Sequence, residues 1–514
     1  MMNKLKQRFT SYLKGRKLPG DILIALVIAL VVFVNIIVYT LSGAFPLYLY
    51  SPVEEDFSIS DASDVLFEGY IRDGRSVTVT FCSYEDVVAN HDTGSFVYRT
   101  AKEFEKKYPE FIKLRFINAI TKLDSEGKSV ADELEIYQNE GKNPINDTSV
   151  IFSTDTSYRV LTDNYSGSGY VDFFTLDDQL YITSYNGEEV FASSVLFALR
   201  ENHGTAYMTV GHGESANGTL YNILTSAGYN VKELNLRKSD VPEDAEMVII
   251  SNPISDFERG AENSTLITEE DRLMSYRGRG GRFIVFFNPA VKKLPVLESF
   301  MSDFGISFIS AEDGERVTVK DQRNAITTDG FTLVSDFSDD DIASEMKSII
   351  RTRSGDEDGR VILRGVGALA LDSEKGAKSV LQSSPTSVIE AGGETLDDGG
   401  SYTVAAYSEY KNDLSESATM FVMSDGMLTA SDAIVTDGYS NKDFLYSLFD
   451  KLFDGGDMPY GCRSIIYNES VLENLTMGRA KLYTAILIAI PVVICAVGIF
   501  VLVRRKNRHH TRNC

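Results

Sequence analysis

Two uncharged apolar stretches, one near each end, constrain this chain more than anything between them. Residues 22–43 and 482–503 carry no charged side chain, and within the first, residues 22–41 read ILIALVIALVVFVNIIVYTL, with Asn35 as the one strongly polar group. About 20 such residues, rising about 1.5 Å each, cross a hydrocarbon core of about 30 Å. A helix is the form that satisfies every backbone hydrogen bond within lipid. Pro491 and Gly498 in the second stretch are tolerated there, although both weaken a helix in water. The rival reading of the first stretch is a cleaved signal peptide ending at Ser42-Gly43-Ala44. Its apolar run exceeds the usual length of about 7–15 residues, which favours an uncleaved anchor.

Charge orients the two spans. Lys4, Lys6, Arg8, Lys14, Arg16 and Lys17 precede the first, Arg504, Arg505, Lys506, Arg508 and Arg512 follow the second, and neither tail contains an acid. The bias of basic residues toward the cytoplasmic side places both tails in the cytoplasm and residues 44–480 outside it. Tyr48, Tyr50 and Tyr483 suit the two interfaces. The net charge is −24; setting aside the tails and the mutually cancelling Asp21 and Lys481 leaves −35 on residues 44–480. Such an acidic region argues against nucleic acid as a ligand; its plain consequence is solubility.

A length of 514 residues predicts more than one domain. The expected organisation is a basic tail (1–21), a membrane helix (22–43), a polar stalk (44–69), an N-terminal α/β domain (70–203), a second α/β domain (204–455), a connector (456–481), a membrane helix (482–503) and a basic tail (504–514). In the first domain, residues 76–81 and 112–118 alternate at period two around a helical pattern at 95–108 that Pro109 ends. That is a strand–helix–strand unit with a parallel pair. Residues 149–160 read as a hairpin, and 187–200 as an amphipathic helix with Phe191, Val195 and Leu199 on one face.

From residue 204 onward strands and helices alternate. Strands are expected at 205–210, 231–236, 246–251 and 282–287, with helices at 217–227 and 269–277. Thr268 and Asp271 form a capping pair for the second of these helices. Continuous apolar strands between helices predict a doubly wound parallel sheet. Further on, strands are expected at 361–364, 402–408 and 418–423, a helix at 441–453, and loops at 352–359 and 391–400.

Gly211-His212-Gly213-Glu214 is the most conspicuous string. It follows a strand and precedes a helix, where open α/β sheets bind ligands. Its glycines permit positive φ, and His212 and Glu214 suit coordination, hydrogen bonding or proton transfer. The plainer reading is a tight turn whose His and Glu are held by neighbouring groups. Ser424-Asp425-Gly426 ends another strand, making Asp425 the remaining candidate for ligand or partner contact. Arg277-Gly278-Arg279-Gly280-Gly281 follows a helix and precedes a strand, so it is a helix stop and not a phosphate loop. No Walker motif, Gly-x-Ser-x-Gly elbow, CxxC, HExxH or zinc-type spacing occurs, so no catalytic residue, metal or cofactor is expected. Cys82 and Cys462 either pair or remain as buried thiols.

Several strings, taken in order, resemble one family: the GldG-type auxiliary component of bacterial ABC transporters. They are Phe57-Ser58-Ile59-Ser60, the strand at 76–81, residues 207–214 (YMTVGHGE), residues 244–253 (DAEMVIISNP), residues 278–289 (GRGGRFIVFFNP), and the final strand with the Asn441-Lys442-Asp443 helix. The family's Arg-x-Asp-Leu-Thr string is replaced by Leu47-Tyr48-Leu49-Tyr50-Ser51. The resemblance implies tandem extracytoplasmic α/β domains, the second amidotransferase-like, between two transmembrane helices. It implies a non-catalytic subunit working with a separate ATPase and a polytopic permease in the lipid bilayer. The rival readings are a stand-alone module binding an envelope glycan or protein, and a hydrolase with a degenerate amidotransferase-like site.

Overall fold

The alternation at 76–81 and 112–118 builds the heart of the first sheet. The computed structural model describes residues 57–138, 145–162, 169–176, 182–214, 218–260, 266–397, 399–411, 417–425, 439–452 and 457–466. Helix α1 (Asp61–Arg72) leads into β1 (Val77–Phe81), the short α2 (Glu85–Ala89), α3 (Gly94–Lys107) and β2 (Ile112–Asn118). β1 and β2 run parallel with Val77 opposite Ile112, as a crossover helix requires. β3 (Leu123–Asp124), α4 (Ala131–Tyr137) and the hairpin β4 (Val150–Ser153) with β5 (Tyr158–Leu161) complete the order β3-β2-β1-β4-β5. Phe67, Phe81, Phe104, Phe111, Phe152 and Phe191 fill its core.

The stalk expected at 44–69 ends earlier than its polarity suggests. α1 lies inside it, and Phe67 packs edge-on against Tyr108 and beside Phe104 and Phe111. A buried Phe contributes roughly 1.5–3 kcal/mol; Phe67, with the buried Leu66 beside it, anchors the helix in the first sheet's core.

A short ribbon of β6 (Phe174–Leu176) and β7 (Ile182–Tyr185) precedes α5 (Gly187–Leu199). α5 is buried nearly all round, Glu188, Glu189, Ser193 and Ser194 included, and not only along one stripe. The reason is its place: one side meets α3, β4 and β5, the other meets the helix Gly218–Ser226 of the second sheet.

β8 (Thr205–Thr209), α6 (Gly218–Ser226), β9 (Asn230–Leu234), β10 (Ala245–Ser251), α7 (Glu269–Gly278), β11 (Arg282–Phe286) and α8 (Pro295–Asp303) open the second sheet. β12 (Ile306–Phe308), β13 (Thr318–Lys320), β14 (Thr332–Phe337), α9 (Asp341–Arg353), β15 (Val361–Arg364), β16 (Leu369–Leu371), β17 (Lys378–Gln382), β18 (Val388–Ala391), β19 (Glu394–Thr395), β20 (Thr403–Lys411), β21 (Ser417–Met423) and α10 (Asn441–Leu452) follow. Strands β9-β8-β10-β11-β21 are mutually parallel. Helices cover both faces: α6, α9 and α10 over Ile249, Ile284 and Phe421, α7 and α8 over Val248, Ile250 and Phe283.

The expectation of a parallel sheet holds for those strands and fails beyond β21. The order continues β21-β20-β17-β14-β15, and every one of these pairings is antiparallel. Physically, the link between Lys411 and Ser417 is too short for a crossover, which takes a dozen or more residues. The expected loop at 391–400 contains part of a small hairpin, β18 with β19.

The expected connector also differs. Cys462 is buried in the first sheet's core, and β22 (Ile465–Ile466) pairs antiparallel with β7. Cys82 and Cys462 are both free and buried. The described residues belong to one compact unit. Among them no helix is long and apolar enough to cross a membrane; both expected spans and both tails lie outside the described residues.

Candidate functional site

Read in chain order, the parallel strands β9-β8-β10-β11-β21 are arranged 2-1-3-4-5. In such a sheet the helices change face between the first and third strands, and the crevice outside the carboxyl ends lies there. Gly211-His212-Gly213-Glu214 leaves the end of β8, beside the end of β10, at this position. Gly211 has φ +122° and Gly213 φ +76°. A Cβ at Gly213 would stand 2.2 Å from Ile254 Cγ1, so this glycine is needed for space as well as for φ.

His212 is almost wholly buried, at 1% exposure. Its Nδ1 lies 3.1 Å from Glu214 Oε1 and its Nε2 lies 2.9 Å from Glu269 Oε2. Glu269 opens α7. The imidazole stacks on Phe257, with centroids 4.1 Å apart. The backbone closes the same knot. His212 N donates to Glu214 Oε2 at 2.7 Å, Glu258 N donates to Glu269 Oε2 at 2.8 Å, and His212 O accepts from Ile254 N and Ser255 N at 2.9 and 3.0 Å. Arg237 Nε stands 3.5 Å from Glu269 Oε1.

Burial alone would push the His212 pKa down, but the hydrogen bonds and charges of Glu214 and Glu269 outweigh it and raise the pKa. For Glu214 burial acts upward, and the His212 ring, two backbone amides and the Thr209 hydroxyl hold the carboxyl down at about 2. The surroundings favour the protonated ring, which donates through both nitrogens, and each nitrogen already faces a carboxylate. The carboxylates sit on opposite sides of the ring, so no one ion could take all three groups. Among the described residues no cluster of three or more His, Cys, Asp or Glu is arranged to hold a metal.

Asp425 is not part of this knot. It follows β21, separated from β8 by β11 and β10, hence about 14 Å away at about 4.8 Å per strand. It is 1% exposed; Arg364 N donates to its Oδ2 at 3.4 Å, while the neighbouring Ser424 Oγ accepts from Gly367 N at 2.9 Å. Both residues tie the carboxyl edge to the loop after β15.

Glu269 was the partner that sequence reasoning missed. The capping box of Thr268 and Asp271 is present, which fixes where α7 begins. Three successive acids in that first turn look alike, and only the fold turns Glu269 inward. Three further internal groups were likewise hidden. Asn441 Oδ1 accepts from Ile362 N at 2.8 Å and its Nδ2 donates to Ile362 O at 2.9 Å. Lys442 Nζ and Tyr446 OH both reach Glu189, each at 2.5 Å. Asp443 Oδ1 accepts from Gly461 N at 3.3 Å, and burial raises its pKa. The Asn-Lys-Asp string is therefore spent on internal contacts.

No protein-family model matches the chain, and no curated protein does. Solved structures with some likeness include the N-terminal domain of mmIFT52, at 15% identity and TM-score 0.36, covering 49% of this chain and 98% of that one. PurLQS from Thermotoga maritima matches at 12% identity and TM-score 0.29, covering 49% and 100%. A glutamine amidotransferase from the same organism matches at 13% identity and TM-score 0.27, covering 49% and 99%. The class defined here is mixed α/β, with a parallel half and an antiparallel half in its larger sheet.

Proposed function

We propose that this chain is a non-catalytic auxiliary subunit of an ABC-type transport system, anchored in the plasma membrane by its two terminal helices. In this reading tandem α/β domains, the second amidotransferase-like, stand outside the cytoplasm. A separate ATPase and a polytopic permease supply energy and passage. One observation carries it: both ring nitrogens of His212 are occupied by buried carboxylates. The string that most invited a catalytic role is spent on holding three loops together. The apolar ends, the absent ATPase motifs and the family resemblance fit the same reading.

The test is affinity purification of the full chain from native membranes in mild detergent, with mass spectrometry of what it retains. An ATP-binding subunit and a polytopic permease in stoichiometric amounts are expected. Their reproducible absence would remove the reading.

A second reading is a stand-alone module binding an envelope glycan. An open groove of about 720 Å³, lined in part by Tyr407, Tyr410, Glu374, Lys375, Glu409 and Lys411, favours it. Its mixed charges and tyrosine hydroxyls suit a hydroxyl-rich polymer. Incubating the detergent-solubilised chain with cell-wall fragments separates the two readings: retention without the permease supports the module.

A further inference from the structure

The two chain leads of the described unit, inbound at Phe57–Ser63 and outbound at Cys462–Ile466, meet on a single carboxylate. Glu188 Oε1 accepts from Ser60 N at 2.9 Å, Ser60 Oγ at 2.6 Å and Ser63 Oγ at 2.8 Å. Its other oxygen, Oε2, accepts from Arg463 N at 3.1 Å. The leads also touch directly, Arg463 Nη1 donating to Ser58 Oγ at 3.3 Å. Lys107 Nζ donates to Ile59 O and Ser60 O at 3.2 and 3.0 Å, and Phe57 packs edge-on against Phe96 and Tyr185. Tyr185 is in turn paired with Ile465 through β7 and β22.

Neighbouring residues on a helix point about 100° apart, so Glu188 and Glu189 face different partners. Glu189, the next residue, takes Lys442 and Tyr446 of α10. We propose that this first turn of α5 is a two-sided latch: Glu188 holds both leads at once, Glu189 holds α10, and loosening either lead loosens the other and then α10. The physical link is solvent. While both leads are seated, Glu188 is 6% exposed. Removing the donors of one lead opens the carboxylate to water, where the remaining amide bond competes with solvent and loses most of its worth. Rehydrating Glu188 by turning α5 also rotates Glu189 away from Lys442. A pull on either end of the outer region thus reaches the second sheet through one helical turn.

Amide hydrogen exchange on the full chain in detergent micelles tests this. The double variant Ser60→Ala, Ser63→Ala removes two inbound hydroxyl donors and touches nothing on the outbound side. Exchange in 463–466 is expected to rise by about tenfold, the effect of one lost buried hydrogen bond, with a smaller rise in 441–446. A rise confined to 57–63 overturns the latch. Glu188→Gln, which keeps the shape, is the second variant: both leads are expected to loosen together, and loosening of one alone, or of neither, overturns the proposal. Unchanged exchange in 245–251 and 282–286 verifies that each variant is folded.

Discussion

At the carboxyl edge of β8 the buried carboxylates of Glu214 and Glu269 meet the two nitrogens of one titratable ring. In the first turn of α5 the equally buried Glu188 meets only hydroxyls and amides. Both arrangements join segments far apart in sequence, and both leave a carboxylate out of water. They differ in what holds the charge. The His212 knot is an ion network whose strength depends on a proton. The Glu188 cluster is held by neutral hydroxyl and amide donors. Glu189 stands between these cases, with a permanent cation in Lys442 and a hydroxyl in Tyr446. The comparison teaches that burying a carboxylate does not by itself make a reactive site; what matters is whether any partner is free to change state.

Substitutions can break that comparison, and the largest effect is expected at the ring. His212→Ala leaves Glu214 without its counter-charge and Glu269 with Arg237 alone, and should cost about 3–5 kcal/mol at pH 7. Urea denaturation measures it, and the cost should shrink at acid pH, where the carboxylates take up protons. Glu189→Ala strands the largely buried Lys442 and should cost about 3 kcal/mol by the same measurement. Asn441→Ala leaves the N–H and C=O of Ile362 unmet and should cost about 2 kcal/mol. Thr268→Ala removes one half of a capping box and should cost about 1 kcal/mol.

Changing pH sharpens the comparison without a large structural change. The folded pKa of His212 lies above its ordinary value, so its contribution is complete below about 6.5 and is lost as pH rises through the raised folded value. Glu214 is shifted down to about 2, so its contribution is present above its ordinary 4.5 and is lost as pH falls toward 2. Denaturation midpoints of the wild-type chain should therefore decline on the alkaline side, and His212→Gln should flatten that decline. A decline of equal slope in the variant would assign the pH dependence to another group.

Much of the parallel half was legible because its strands declare themselves locally. Met247–Ile250 and Phe283–Phe286 are buried on both faces, and each reads as an unbroken apolar run. The capping pair at Thr268 and the hairpin at 150–161 rest on short-range rules and were equally plain. The antiparallel half was only partly legible. Strands at 361–364 and 402–408 were recognisable, but β20 also pairs with β17 and β15 with β14, and no local pattern encodes pairing direction. A short helical pattern starting at Phe57–Asp61 was legible inside the expected stalk, but not that Leu66 and Phe67 carry the helix into the first sheet's core. At the candidate site His212 and Glu214 stood out because their string is unusual. Glu269 did not, since three acids in a first helical turn are ordinary, and Asp425 proved to belong to a different edge contact.

Asn441 has a consequence for how this protein behaves among copies of itself. A sheet is in principle an unfinished polymer, since its last strand offers the same donors and acceptors that recruited it. At β15 the amide of Asn441 occupies the donor and acceptor of Ile362, the position where an added strand would begin to zip. One side chain thus acts as a chain terminator. At the opposite edge, β9, the described contacts include no such stopper, and the hydration of charged residues such as Lys232 and Glu233 is what opposes an added strand. Growth by strand addition, if a destabilised copy ever seeds it, starts at β9.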